Sequence, residues 1–303
     1  MHRSCTVSVV IPCYNQAHHI RHTVGAILDQ TIPPDEIVVV DDASGDASPI
    51  ILQQLPVKLI RHQQNQGPAA ARNTALSVSS GDIVVFVDAD AYADHRLIET
   101  FLRAYQEIPD PLVAGIGGRG IESNIRTVFD KWRALHARQD FGLKPRKVPF
   151  LFGLCASYKR AVLLQVGGFD TFFPLNAGED ADLGYRIRRA GYRLYYAPDA
   201  IVYHQHSDTE RSLLRVQYNW FYWTYFAKKR SNLHPWTLFV GTLRRLFTDT
   251  LTDLFLRGDI ALALLDLKVF KVKMQALFRA CQGGEGDENR SFGSKSGFFC
   301  ERA

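Results

Sequence analysis

Residues 81–90, Gly81-Asp82-Ile83-Val84-Val85-Phe86-Val87-Asp88-Ala89-Asp90, determine the kind of sheet that this chain builds. An apolar, β-branched run between a Gly-Asp turn and two aspartates is typical of a strand buried on both faces, as in a parallel sheet. Asp88 and Asp90 then lie at the edge where open α/β sheets bind ligands. Two adjacent anions favour a cation between them, and a divalent metal that carries a phosphate suits carboxylate oxygens. A solvated acidic turn is the alternative interpretation.

The composition is that of an ordinary globular protein, with 303 residues, 46% hydrophobic and 22% charged. The net charge of +5 indicates no nucleic-acid partner. The five cysteines are odd in number and form no C-x-x-C pair, which argues against a disulfide framework and a zinc knot and favours a reducing compartment. The first predicted strand begins by Thr6, and no run of 18 apolar residues occurs. These features predict a cytoplasmic protein.

Three further apolar runs precede residues 81–90, and short helical segments separate them: Val7–Ile11, Glu36–Val40 and Val57–Arg61. This β-α-β-α-β-α-β order, with right-handed crossovers, predicts a Rossmann-like, doubly wound α/β sheet. Polar side chains after the strand ends are expected to meet at one edge of it: Tyr14, Asn15, Asp41, Asp42, Asp88 and Asp90. No G-x-G-x-x-G follows the first strand and no P-loop occurs, so a metal held by aspartates would supply the charge that a diphosphate needs.

The middle of the chain predicts an irregular strand or tight turn around Gly115–Gly120, and strands at Pro149–Ser157, Arg193–Tyr196 and Ala200–Tyr203. The acids Glu179, Asp180 and Asp182 open a predicted helix, where they either complement the helix dipole or project into a cleft. His204 and His206 follow the last strand on one face. They are either metal ligands or packed histidines.

The character of the chain changes after Ser212, where aromatic residues become dense and basic residues follow them. Residues 235–257 and the segment from Ile260 to about Ala280 have helical spacing. Helices of this composition either lie in a membrane interface or pack on the rest of the protein. We therefore predict a catalytic domain over 1–210, an aromatic and basic helical extension over 211–281, and a disordered tail over 282–303.

Six blocks between about residues 5 and 206 resemble the family 2 glycosyltransferases in the order of that family: VSVVIPCYNQ, VVVDDAS, NQGPAAARN, FVDAD, VGGFD and GEDADLGYRIRRAGYRLYY. The resemblance implies a GT-A fold, which is a Rossmann-like, mostly parallel sheet, here with a C-terminal helical extension. It also implies an inverting transferase that uses a nucleotide-sugar donor.

The resemblance assigns a role to each candidate residue. Asp180 would be the general base that deprotonates the acceptor hydroxyl. Asp90 and His204 would hold a divalent metal, Mn²⁺ or Mg²⁺, on the diphosphate. The remaining positions would bind substrate: Pro12, Tyr14, Asn15, Asp42, Arg72, Asp88 and Glu179. Cys155 stands where members of the family often have Asn, which weakens an acceptor assignment around Gly153–Ser157.

The expected partners are a nucleotide-sugar donor and a glycan or lipid-linked acceptor in cell-envelope polysaccharide or glycolipid synthesis. The segment 212–280 would add a peripheral contact with the inner face of the cell membrane. Two other interpretations remain open. One is a sugar nucleotidyltransferase, although PCYNQ offers no Gly-rich basic loop. The other is a catalytically silent protein that binds nucleotide sugars as a scaffold.

Overall fold

The computed structural model describes residues 5–175 and 177–282, and within them nine strands form a single sheet. The strands in chain order are β1 (Val7–Cys13), β2 (Glu36–Asp41), β3 (Lys58–Arg61), β4 (Ile83–Val87), β5 (Ala91–Ala93), β6 (Val113–Glu122), β7 (Arg146–Val148), β8 (Cys155–Lys159) and β9 (Arg193–His204). The helices are α1 (Ile20–Leu28), α2 (Ser48–Leu52), α3 (Pro68–Val78), α4 (Leu97–Glu107), α5 (Val128–His136), α6 (Arg160–Gln165), α7 (Glu179–Arg189), α8 (Glu210–Arg230), α9 (Trp236–Leu251) and α10 (Ile260–Gln282), and a π-helical segment (Thr252–Leu256) follows α9.

The sheet has the strand order β3-β2-β1-β4-β8-β6-β9-β5, and β7 also pairs with β9. Strands β1 to β4 are mutually parallel in the order β3-β2-β1-β4, and β6 runs parallel to β9. Strand β8 is antiparallel to both of its neighbours, β4 and β6. The carboxyl ends of β1, β2 and β4 therefore meet at one edge, as a doubly wound sheet predicts.

The central strand β4 explains why helices cover both faces of the sheet. All five of its residues are buried. Val85 and Val87 belong to a core that includes residues of α1 and α4, whereas Val84 and Phe86 belong to a second core with residues of α3, α6 and α7. Alternate side chains of a strand point to opposite faces, so an uninterrupted apolar run requires an apolar layer on each side. This arrangement confirms the predicted α/β class.

Two strand predictions in the second half differ from the structure. The strand expected at Pro149–Ser157 is β8, which begins only at Cys155, because the preceding Phe150 and Phe152 pack with Phe141 instead of joining the ladder. The two strands expected between 193 and 203 are one long strand, β9. The glycine-rich stretch is the irregular strand β6, whose pairing with β9 shifts register at two places.

The C-terminal helices pack against the α/β part. Trp223 and Phe226 of α8 form a core with Phe173 and with Tyr185 of α7, and the indole of Trp132 on α5 donates a 2.8 Å hydrogen bond to Asp266 on α10. In the part of the chain that the structure describes, each helix is too short or too polar to span a bilayer. The prediction of a disordered tail falls almost entirely outside the described residues.

Candidate active site

A cleft of about 640 Å³ opens at the carboxyl ends of β1, β2 and β4, and α7 and α8 border it. It brings together nine of the ten residues to which the resemblance assigns a role: Pro12, Tyr14, Asp42, Arg72, Asp88, Asp90, Glu179, Asp180 and His204. Asp41, which was also expected at this edge, does not line the cleft, and its buried carboxylate lies 3.1 Å from Arg61 Nε. Asn15 does not line the cleft. Its side-chain oxygen accepts a hydrogen bond from the backbone amide of Gly45, and its backbone amide donates one to the hydroxyl of Ser44. Asn15 therefore holds the loop after β1 against the loop after β2.

Asp90 faces two imidazoles across gaps that are too long for hydrogen bonds. Short strand β5 pairs with β9 so that Ala91 lies opposite His204, which places Asp90 beside the end of β9. Asp90 Oδ1 is 3.5 Å from His204 Nε2, and Asp90 Oδ2 is 3.9 Å from His206 Nδ1. Ligand atoms that share one transition-metal ion are roughly 3–3.5 Å apart. The pair Asp90–His204 fits this spacing, and one ligand atom from each of the three side chains lies within 4.8 Å of the others, so small shifts would let all three share a divalent ion.

A second carboxylate contacts each imidazole at the ring nitrogen that does not face Asp90. Glu122 is 3.0 Å from His204 Nδ1, and Asp208 is 3.2 Å from His206 Nε2. Such carboxylate–histidine pairs fix the ring orientation and leave the other nitrogen for a metal. Asp208 is itself held by Arg133, whose Nε donates a 2.5 Å hydrogen bond to it. The site thus has the layered construction of protein metal centres.

The protonation states of Asp90 and the two histidines depend on one another. Burial alone would lower the pKa of His204, but the carboxylates of Asp90 and Glu122 outweigh it and raise that pKa to about 10. Burial would raise the pKa of Asp90, yet the two histidines hold it well below its usual range. The raised pKa values of His204 and His206 show that this position favours positive charge beside the carboxylate of Asp90. A metal would compete with protons there, since it binds neutral imidazole.

Arg72 joins the two acidic parts of the cleft. Its guanidinium, 1% exposed, contacts Glu179 Oε1 at 2.9 Å and Asp88 Oδ1 at 3.0 Å. Burial would lower the pKa of Arg72, but the charges of Asp88, Asp180 and Glu179 raise it. Among the described residues, both hydrogen bonds of the guanidinium are to protein carboxylates. The prediction that Arg72 reaches the nucleotide stays a prediction.

Asp180 lies in the first turn of α7, which starts after Gly178 in the left-handed region, at φ +90°. The Gly153 amide donates a 2.7 Å hydrogen bond to Asp180 Oδ2, while the buried Oδ1 accepts none from the described residues. Burial raises the pKa of Asp180 against the opposing effect of Arg72. Burial and the charge of Asp180 also raise the pKa of Glu179, to about 8. An acid with a free oxygen and a raised pKa suits general-base chemistry.

Asp42 is engaged within the protein. Its carboxylate accepts hydrogen bonds from the amides of Gln66 (2.9 Å) and Gly67 (2.8 Å), and it lies 2.7 Å from His62 Nδ1. These contacts tie the end of β2 to the turn before α3. Asp42 still lines the cleft, so its proposed contact with a nucleotide base stays a prediction.

Sequence reasoning did not assign Glu122, Asp208 and Arg133 to the site, and it left His206 undecided. The H-x-H spacing was a usable signal for His206. Glu122 carries no local signal, because only the pairing of β6 with β9 puts it opposite His204. The cleft also has an apolar wall that no motif marks, formed by Phe150, Phe152, Leu154, Trp220, Phe221 and Leu238.

Comparison with known proteins agrees with this geometry. A "Pre-mycofactocin glycosyltransferase" of Mycobacterium tuberculosis is 32% identical over 213 residues, which cover 66% of this chain and 43% of that protein. The chain therefore matches less than half the length of that relative. An "O-antigen chain rhamnosyltransferase RfbN" of Salmonella typhimurium is 26% identical over 218 residues, or 68% of each protein.

Among solved structures, a mannosyltransferase from Pyrobaculum calidifontis in complex with GDP-Man and Mn²⁺ superposes with a TM-score of 0.58 at 24% identity. It covers 93% of this chain and 77% of the other, which confirms the GT-A fold. The sequence pattern described as "Glycosyl transferase family 2" matches residues 8–167, more than half of the chain. The chain belongs to glycosyl transferase family 2.

Proposed function

We propose that this protein transfers a sugar from a nucleoside diphosphate to an acceptor hydroxyl, with inversion at the anomeric carbon, in the synthesis of a cell-envelope polysaccharide or glycolipid. One observation carries the proposal. Asp90, His204 and His206 each place one possible ligand atom within 4.8 Å of the others, in the same cleft as Asp180, whose Oδ1 is buried and accepts no hydrogen bond from the described residues.

Asp90, His204 and His206 would hold the divalent ion. Two imidazoles and one carboxylate favour Mn²⁺ over Mg²⁺, since Mg²⁺ prefers oxygen ligands. When bound, the ion neutralises the negative charge that develops on the leaving diphosphate. Glu122 and Asp208 keep both imidazoles turned toward Asp90, and Arg72 keeps Asp88 and Glu179 from repelling each other.

Asp180 would act as the general base. Gly153 holds one carboxylate oxygen in place, which leaves Oδ1 to take the proton of the acceptor hydroxyl. The hydroxyl oxygen then attacks the anomeric carbon on the face opposite the diphosphate, and the bond from that carbon to the diphosphate oxygen breaks. A single displacement inverts the configuration. Because burial raises the pKa of Asp180, the carboxylate is a stronger base than an exposed aspartate.

The apolar wall formed by Phe150, Phe152 and Trp220 offers ring faces against which a sugar can stack. Its continuation along α8 and α9 suits an acceptor glycan that carries a lipid. Such an acceptor would place the protein at the inner face of the cell membrane, with the C-terminal helices in contact with it. A nucleotidyltransferase is disfavoured, because the loop after β1 presents Tyr14 and Gln16 to the cleft and no cationic side chain.

A thermal-shift screen of nucleotide sugars with and without Mn²⁺ tests the metal site. We expect one donor to raise the melting temperature more with Mn²⁺ than without it, because a ligand stabilises the state that binds it. Asp90→Ala should abolish the Mn²⁺-dependent part of the shift. Asp199→Ala, which removes an exposed carboxylate of β9 outside the cleft, is the matched control and should keep it.

Two results would contradict the proposal. A donor shift in Asp90→Ala that still depends fully on Mn²⁺ would remove Asp90 from the metal site. Metal-dependent donor binding without transfer or hydrolysis, across many acceptors, would favour the silent scaffold instead.

A further inference from the structure

Helix α9 has its apolar face on the outside. Five residues at helical spacing along one side are 36–61% exposed: Trp236, Val240, Leu243, Phe247 and Leu251. The π-helical segment continues the pattern, with Phe255 78% and Leu256 82% exposed. Thr242 is the one residue of α9 that is fully buried. A helix that packs on a globular protein normally shows the reverse arrangement.

The side of this segment that faces the protein is polar. Asp253 is completely buried and lies 2.9 Å from His136 of α5, and Asp249 lies 3.6 Å from the other ring nitrogen. The segment is therefore held on the molecule by buried ionic contacts. Its exposed apolar side chains have no layer of the described chain over them.

Helix α10, which packs against α9, also exposes an apolar stripe. Its inner residues Leu262, Leu265 and Val269 are buried in a core with α5 and α8. Its outer residues are exposed and apolar at helical spacing: Ile260, Leu264, Leu267 and Phe278. We call the exposed apolar residues of 236–278 the outer face. Monomeric proteins rarely expose apolar patches of this extent unless a partner covers them.

The charges around the outer face are mostly basic. Every exposed charged residue between 236 and 282 is basic: Arg244, Arg245, Arg257, Lys268, Lys271 and Arg279. Lys268 pairs with Glu210 of α8 and Arg257 pairs with the buried Asp253. The four acids of the same segment are buried or half-buried: Asp249, Asp253, Asp259 and Asp266. An apolar surface with a mostly cationic border complements an apolar phase with an anionic border. Two copies of the same face would instead repel each other.

We propose that the outer face inserts into the interface of a bilayer that contains anionic phospholipid. The proposal narrows the membrane contact suggested by the proposed function, because α8 turns Tyr222, Trp223 and Phe226 into the protein core and is not part of the surface. Leu238, at the start of α9, lines the catalytic cleft, so docking would bring the cleft to the lipid surface. An acceptor with a lipid anchor could then enter without leaving the bilayer.

Vesicle flotation of the full chain tests the proposal without any donor or metal. We expect the protein to float with phosphatidylcholine vesicles that contain phosphatidylglycerol and to float less with pure phosphatidylcholine. Phe247→Asp and Phe255→Asp should each weaken binding about tenfold or more, as expected for one phenylalanine kept in water. Arg244→Ala should weaken it about fivefold on anionic vesicles. Ile50→Asp, which changes an equally exposed apolar residue on α2, is the matched control and should bind like the wild type.

Donor binding by calorimetry checks that each variant is folded and separates this proposal from the transferase assignment, which does not depend on lipid. Vesicle binding that Phe247→Asp and Phe255→Asp leave unchanged would overturn the proposal. So would a lack of vesicle binding by wild-type protein that binds its donor. Concentration-dependent dimerisation in sedimentation, lost in Phe247→Asp without any vesicle binding, would assign the outer face to a second copy of the chain instead.

Discussion

Asp180 combines the features that a general base requires. It is half-buried, its buried Oδ1 accepts no hydrogen bond from the described residues, and Oδ2 is fixed by the amide of Gly153. Asn has nearly the same shape and can still accept that hydrogen bond, but it cannot take a proton. We therefore expect Asp180→Asn to lower kcat by about 10²–10⁴-fold while donor affinity stays near the wild-type value. Transfer kinetics and calorimetry with the donor measure the two quantities.

Asp182 provides the control for this prediction. It lies two residues further along α7 and pairs with Arg186 at 2.6 Å, outside the residues that line the cleft. Asp182→Asn should keep turnover close to that of the wild type. If Asp180→Asn turned over as fast as Asp182→Asn, Asp180 would not be the base, and Glu179 would become the candidate.

At the scale of single elements, β6 depends on a glycine for its close approach to β9. A Cβ atom at Gly118 would lie 2.3 Å from the Ala200 carbonyl oxygen and 2.3 Å from Cys155 Sγ. One of these neighbours is backbone and the other is a buried side chain, so neither can move without separating strands. We expect Gly118→Ala to lower the free energy of unfolding by about 1–3 kcal/mol, measured by urea denaturation.

A glycine-to-alanine substitution in α1 should instead raise the free energy of unfolding. A Cβ at Gly25 meets no atom within 4 Å, and Gly25 is exposed in the middle of the helix. Gly25→Ala should therefore raise the free energy of unfolding by about 0.5–1 kcal/mol, because alanine loses less backbone freedom than glycine. Equal changes in the free energy of unfolding at the two positions would show that steric contacts around Gly118 do not disfavour alanine there.

The sequence predicted the elements that depend on local pattern. The apolar runs at β1, β2 and β4 identified the sheet, and the polar residues after them identified its binding edge. The start of β8 was wrong by six residues, since an aromatic cluster of Phe141, Phe150 and Phe152 competes with the ladder there. Spacing placed the apolar stripe of α9 on one side of a helix. It could not show which side faces the protein, because that choice depends on the distant His136.

At the scale of the whole molecule, α5 connects the region of His206 and Asp208 to the C-terminal helices. Arg133 of α5 holds Asp208, while Trp132 donates to Asp266 of α10 and His136 contacts Asp253 after α9. These contacts are buried, and each joins residues that lie far apart in the chain. Removing one partner of such a buried contact leaves a polar group without compensation. The network should therefore stabilise the packing of the C-terminal helices on the α/β part.

His136 makes this connection sensitive to pH. Burial would lower the pKa of His136, but the neighbouring carboxylates of Asp249, Asp253 and Asp266 outweigh burial and raise it above 6.5. A group whose pKa is raised on folding stabilises the protein fully below its unfolded pKa of about 6.5 and loses that effect as the pH rises through the folded value. His136→Gln keeps a neutral donor for Asp253 and removes the titrating ring.

We therefore expect the wild type to exceed His136→Gln in free energy of unfolding most clearly near pH 6, with the difference shrinking toward pH 9. Urea denaturation of both proteins across this range measures the difference. Lys273, whose pKa burial lowers to about 8, titrates in the same range but is present in both proteins, so its own contribution largely cancels. A difference that stays constant with pH would mean that folding leaves the pKa of His136 unchanged. Trp132, Asp266 and the apolar core would then hold the helices without a contribution from the charge of His136.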